Sequence, residues 1–77
     1  MITQREVVNY LQAKKPFQAS NIFACLTDTG EYIVYSYQTK ILVVGNDGGI
    51  KYFNEVFYSA TTRRLQHKIC KAFGLQL

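Results

Sequence analysis

Between Ile41 and Phe53 the chain reads ILVVGNDGGIKYF. Two runs of β-branched, aliphatic and aromatic residues flank a segment made only of Gly, Asn and Asp. Those three residue types enter left-handed backbone at least cost, which is what a tight hairpin turn requires. A helix through this point would carry three glycines, each costing about 1 kcal/mol relative to alanine. The segment therefore forms two antiparallel strands joined at Gly45–Gly49. It lacks the lysine and the following helix of a phosphate-binding loop, so the glycines read as a turn and not as a phosphate cradle.

Further strand signals surround this hairpin. NIFACLT is a short apolar run, Asp28-Thr29-Gly30 is a turn, and EYIVYSY is rich in β-branched and aromatic residues. Ile33, Tyr35 and Tyr37 fall on one face of that run, with Tyr32, Val34 and Ser36 on the other. After IKYFNE, the residues VFYS are long enough for a further short strand. The spacing thus predicts a sheet over residues 20–58.

Helices bracket the sheet. Thr3 and Glu6 stand at the positions of a capping box, and Val7, Val8 and Leu11 share one face behind them. Pro16 disfavours helical backbone at Lys15, so this helix is expected over residues 3–15. A second helix is expected over residues 60–73. Steps of about 100° per residue gather Leu65, Ile69, Ala72 and Phe73 on one side, and Arg63, Arg64, His67, Lys68 and Lys71 within an arc of roughly 140° on the other. Ser59, Thr61 or Thr62 supplies its N-cap, and Gly74 its left-handed stop.

The whole is one domain, residues 1–77, of the α+β class. An N-terminal helix, an antiparallel sheet of three to five strands and a C-terminal basic amphipathic helix packed on one sheet face make it up.

Charge and composition narrow the function. Nine Lys and Arg against five Asp and Glu give a net charge of +4, which suits an acidic protein partner or a nucleic acid. It is the wrong sign for a nucleic-acid mimic. Arg63 and Arg64 occupy the first helical turn, where the helix dipole favours acidic side chains, a local misfit of the kind that marks contact surfaces. The partner-binding candidates are Arg63, Arg64, His67, Lys68 and Lys71, with Tyr35, Tyr37 and Tyr52 as aromatic anchors. A solvated helix face and cross-strand aromatic pairs would use the same residue types for solubility and sheet stability alone.

His67 has no nucleophile fixed at a useful spacing, and no carboxylate pair is indicated, so an enzyme is not expected. Cys25 and Cys70 with one histidine do not make a zinc set, and no metal or cofactor is expected. The two thiols are expected reduced, at least one of them in the core. No apolar run approaches the roughly 18 residues of a membrane span, and the N-terminal residues lack a signal-peptide core. The expected location is the cytoplasm of the host cell, as monomer or homodimer.

The run from Tyr32 to Lys71 also resembles a small domain met in phage and plasmid proteins. The matching residues are Ser36, Tyr37, Thr39, Ile41, Asn54, Tyr58, Ser59, Thr61, Thr62 and Gln66. Lys40 and Leu65 depart from the pattern, standing where proline and histidine are common. The family has no assigned chemistry, and similar small phage proteins include anti-CRISPR inhibitors. The resemblance implies a phage-encoded anti-defence protein that binds a CRISPR effector complex and blocks its engagement of target DNA. The alternative is a nucleic-acid-binding accessory or regulatory protein of a mobile element.

Overall fold

The computed structural model describes Met1–Leu77. Glu6 reaches back to the Thr3 backbone N–H at 3.3 Å, and a single 3-10 turn, Gln4–Glu6, runs into α1 (Val7–Gln12). Five strands follow: β1 (Phe17–Ala19), β2 (Ile22–Leu26), β3 (Tyr32–Ser36), β4 (Thr39–Val44) and β5 (Ile50–Phe53). They form one antiparallel sheet in the order β1-β2-β3-β4-β5, each strand beside its sequence neighbour. α2 (Ala60–Phe73) closes the chain. The fold is α+β.

Several boundaries differ from the sequence reading. α1 ends at Gln12, not Lys15. Lys14 turns left-handed (φ 51°), and the Lys14 and Lys15 N–H groups fold back on the Leu11 and Tyr10 carbonyls, both at 3.0 Å. That is a Schellman closure with lysine in the place usually held by glycine. The sheet starts earlier than residue 20, because Phe17–Ala19 pairs with β2. Val56–Tyr58 form no strand; the chain there is an irregular connector leading into α2.

The turns use the residues expected of them. Gly45 and Gly49 close the β4–β5 hairpin through a 2.7 Å bond from the Gly45 N–H to the Gly49 carbonyl. Asp47 accepts from the Gly49 N–H at 2.9 Å, and Gly48 takes φ +86°.

Alternation along the strands separates two faces. Ala24, Val34, Leu42 and Phe53 form one rung across the inner face. They join Leu11 of α1 and Leu65 and Ile69 of α2 in a single apolar core, and α1 also packs on α2. A register shift at Val34/Tyr35 lets Ile41 and Leu42, although consecutive, both be buried. Tyr32 is also buried, and its hydroxyl donates to the Lys15 carbonyl at 2.8 Å, tying the end of α1 to the sheet.

The outer face has no helix over it. Its rungs are Gln18–Phe23–Tyr35–Lys40 and Cys25–Ile33–Val43–Tyr52. It is the helix-free side of the molecule.

Candidate functional site

α2 begins where Ser59 accepts the Thr62 N–H at 3.2 Å, and it ends at Gly74 in left-handed backbone, where the Leu75 N–H meets the Cys70 carbonyl at 3.0 Å. Thr62, Leu65, Gln66 and Ile69 are buried along its inner stripe. The five cationic positions lie on the remainder, and none forms an ion pair. The one salt bridge in the molecule is Lys51–Glu31, 2.8 Å, elsewhere.

The five are not equivalent. Arg64, His67 and Lys71 are exposed, while Arg63 and Lys68, at the two margins, are half-buried. Arg63 donates to the Glu55 carbonyl at 3.2 Å and lies over the Phe57 ring, 5.4 Å from its centroid. Lys68 donates to the Gln4 side-chain oxygen at 2.6 Å, pinning the N-terminal turn to α2. Partial burial, with Arg64 adding repulsion, holds the Lys68 amine below the usual lysine range.

The tyrosine candidates fall elsewhere. Tyr35 and Tyr52 project from the outer face of the sheet, Tyr52 with 45% of its surface exposed. α2 packs on the inner face and its cations point away from it, so the sheet lies between the two sets. One contact surface does not hold both. Tyr37 does not continue the alternation of β3. It lies in the β3–β4 turn in left-handed backbone (φ 56°), 53% exposed, and its N–H bonds to the Asn21 carbonyl at 2.6 Å.

Six of the residues carrying the phage-protein resemblance, Ser36, Asn54, Tyr58, Ser59, Thr62 and Gln66, form a polar brace, of which Ser36, Asn54, Thr62 and Gln66 are buried. Ser36 and Thr62 hydroxyls meet at 2.9 Å, linking β3 to α2, and Ser59 bonds to Thr62 at 3.3 Å. Asn54 donates to the Tyr58 hydroxyl at 3.0 Å and to the Lys40 carbonyl at 3.3 Å, while its side-chain oxygen accepts the Val56 N–H at 3.0 Å. Gln66, wholly buried, donates from Nε2 to the Asn54 and Val56 carbonyls at 2.7 and 2.9 Å. The pattern thus encodes how a connector is fixed between sheet and helix. Leu65, at a position where the pattern commonly has histidine, is a core side chain.

That brace presents residues the sequence reading did not place among the partner-binding candidates. Val56, Phe57 and Tyr58 are all exposed, Phe57 to 61%. Three bulky residues stand in succession on a connector whose Val56 backbone is hydrogen-bonded at both N–H and carbonyl, with Arg63 over the Phe57 ring. The signal was present in the sequence. Val56-Phe57-Tyr58 has no alternation, stands directly before the capping Ser59, and has no apolar partner run.

The cysteines differ from expectation. Neither lies in the core: Cys25 is exposed on the outer sheet face, and Cys70 is half-buried on α2. Burial, followed by the nearby Glu55 carboxylate, raises the Cys70 thiol above its usual value, with Arg63 opposing. No group of three or more His, Cys, Asp or Glu side chains is placed to hold a metal ion, and no helix is long and apolar enough to cross a membrane.

A family model described as "Family of unknown function (DUF8033)" matches residues 5–76. The chain belongs to that family. No curated protein and no solved structure matches it.

Proposed function

We propose that the chain, as a member of this family, is a binding module that acts by occupying a partner protein. The carrying observation is the exposed run Val56–Tyr58 with Arg63 lying over Phe57, followed along α2 by the exposed cations Arg64, His67 and Lys71. Exposed aromatic and arginine side chains held in place before binding are the residues that dominate interface energetics, because little side-chain entropy is lost on contact. The partner surface that fits is an apolar groove with an acidic rim.

The phage-protein resemblance directs the choice of partner: an anti-defence role, with a CRISPR effector complex as the bound target and loss of target-DNA engagement as the result. At +4 the chain does not mimic DNA, so inhibition works by covering a protein surface or locking a conformation. Mixing the purified chain with effector complexes of different types and following co-elution tests this reading. Co-elution at fixed stoichiometry, lost in Phe57→Ala with Arg64→Glu, is expected. Failure to associate with any effector type contradicts it.

A second reading has one specific observation in its favour. Phe57 and Tyr58, beside Arg63 and Arg64, also match a platform on which unpaired bases stack while cations meet phosphate. In that case single-stranded DNA or RNA shifts at low salt, and log K falls linearly with log salt, by about 0.7 per phosphate contacted. No shift at low salt removes this reading.

A further inference from the structure

The sheet is open, and its two edges differ. At the β1 edge the N-terminus lies alongside the strand: the Ile2 N–H donates to the Gln18 carbonyl at 2.9 Å, and the Ser20 N–H to the Met1 sulfur at 3.4 Å. Pro16, just before that strand, has no N–H to offer. At the other edge β5 pairs with β4 alone, and no hydrogen bond from a turn, loop or side chain reaches its main chain. Asn54 directs its N–H back to the Ile41 carbonyl of β4 at 2.7 Å. Successive residues of an extended chain turn their main-chain groups to opposite sides, so Phe53 presents its N–H and carbonyl outward.

Exposed edges are normally guarded by a bulge or a lysine. The register shift of β5 lies toward its hairpin end, at Val43/Val44, and leaves Tyr52 and Phe53 regularly paired. Its lysine does not guard the edge. Lys51 is held at 2.8 Å by Glu31, which adjoins β3, so the ammonium is drawn back across β4. Ile50 and Phe53 lie beside the inward-facing Val44 and Leu42, and Tyr52 beside Val43 on the outer face. Apolar side chains therefore flank the open main chain on both sides of the sheet.

We propose that β5 is a docking edge, at which an extended segment of a partner protein adds as a sixth strand, its apolar side chains beside Ile50, Tyr52 and Phe53 and its acidic ones toward α2. Unpaired main-chain groups select an extended backbone, because a helix has already satisfied its own. Charge selects among extended chains. α2 is tied to the end of β5, since Gln66 donates to the Asn54 and Val56 carbonyls and Arg63 to that of Glu55. Side chains on the inner face of a sixth strand thus share a side of the sheet with Arg63 and Arg64, which favours acidic residues there. The same cations disfavour a second copy. Two β5 edges joined antiparallel make one continuous sheet with both α2 helices on the same face, and each chain carries +4. This role goes beyond α2 as a contact surface and does not depend on which protein α2 binds.

Random peptides of about ten residues, long enough to span β5, displayed on phage and selected against the immobilised chain, supply the probe. The recovered consensus, made synthetically, is expected to be acidic, to alternate apolar residues, and to bind the soluble chain with a Kd below about 1 mM. In its presence exchange of the Phe53 amide slows, while exchange in β1 is unchanged. N-methylation of every second peptide amide weakens binding at least about tenfold in the frame that faces β5 and leaves it unchanged in the other. Selection that yields no peptide of this affinity overturns the proposal, as does a basic consensus. So does equal loss in both methylation frames, or protection that falls on Val56–Tyr58 or α2 instead of Phe53. A dimer in sedimentation velocity with the Phe53 amide protected in the absence of peptide overturns it as well, because the edge then pairs with its own copy. No effector complex enters these measurements, so their failure is distinct from failure of the α2 reading.

Discussion

The Ser36 and Thr62 hydroxyls meet at 2.9 Å inside the fold, the one side-chain hydrogen bond that joins the sheet directly to the first turn of α2. Both residues are buried, so neither hydroxyl has water as an alternative partner. Removing the Thr62 hydroxyl leaves Ser36 without its side-chain partner, at a cost of about 1–3 kcal/mol, whereas removing that of Ser36 leaves Thr62 its bond to Ser59. Thr62→Val is expected to lower stability by that amount in urea titration. The double variant with Ser36→Ala is expected to cost less than the sum of the two single changes. Full additivity would mean that the pair does not interact.

Gln66 holds the connector. Its Nε2 satisfies the Asn54 and Val56 carbonyls together, while its own Oε1 is buried without a protein partner. Gln66→Leu keeps the approximate volume and removes both bonds, at an expected cost of about 2–3 kcal/mol. Amide exchange at Val56–Tyr58 is expected to accelerate more than exchange in the strands. Uniform acceleration across the chain would show that Gln66 supports the whole core and not the connector.

The two helix ends predict opposite responses. Both close through left-handed backbone, one at Lys14 (φ 51°) and the other at Gly74 (φ 72°). A side chain in that region costs about 1–2 kcal/mol. Lys14→Gly is expected to raise the melting temperature, although the added freedom of the unfolded chain offsets part of the gain. Gly74→Ala is expected to lower it through backbone strain alone, because no atom lies within 4 Å of the new methyl group. Shifts of the same sign would contradict this assignment.

Alkaline pH has a defined effect through Tyr32. Burial, with a smaller contribution from Cys25, holds its hydroxyl well above the ordinary value near 10. The unfolded chain releases this proton near pH 10 and the folded chain retains it. The folded state therefore binds more protons, and stability falls as pH rises. The contribution is complete below about pH 10 and is lost at about 1.4 kcal/mol per unit above it. Urea titrations at several alkaline pH values are expected to show a shallower decline for Tyr32→Phe than for wild type. Equal slopes would contradict the burial argument.

Much of the fold was legible because local signals agreed with it. The Gly-Asn-Asp turn, the Ser59 cap, the Gly74 stop and the apolar stripe of α2 are short-range features that tertiary contacts did not override. The end of α1 was hidden because a lysine took a conformation usual for glycine. β1 was hidden because Phe17-Gln18-Ala19 is too short to show a period and follows a proline. The cations of α2 were legible as a set from helical spacing. That Arg63 and Lys68 are partly engaged, by Phe57 and Gln4, depends on chain segments that come together only in the fold. The relation between Tyr52 and α2 was hidden for the same reason: alternation gives a face, but not which face the helices cover.

The proposed contact strip is tested most directly by a purified CRISPR effector and its fluorescent target duplex. DNA binding is followed by anisotropy as the chain is added. The account predicts stoichiometric loss of DNA binding by the wild-type chain, and none by Arg64→Glu with Lys71→Glu, a folded variant whose melting curve stays near wild type. Undiminished DNA binding at saturating wild-type chain for every effector type, or equal inhibition by the charge-reversed variant, would contradict it.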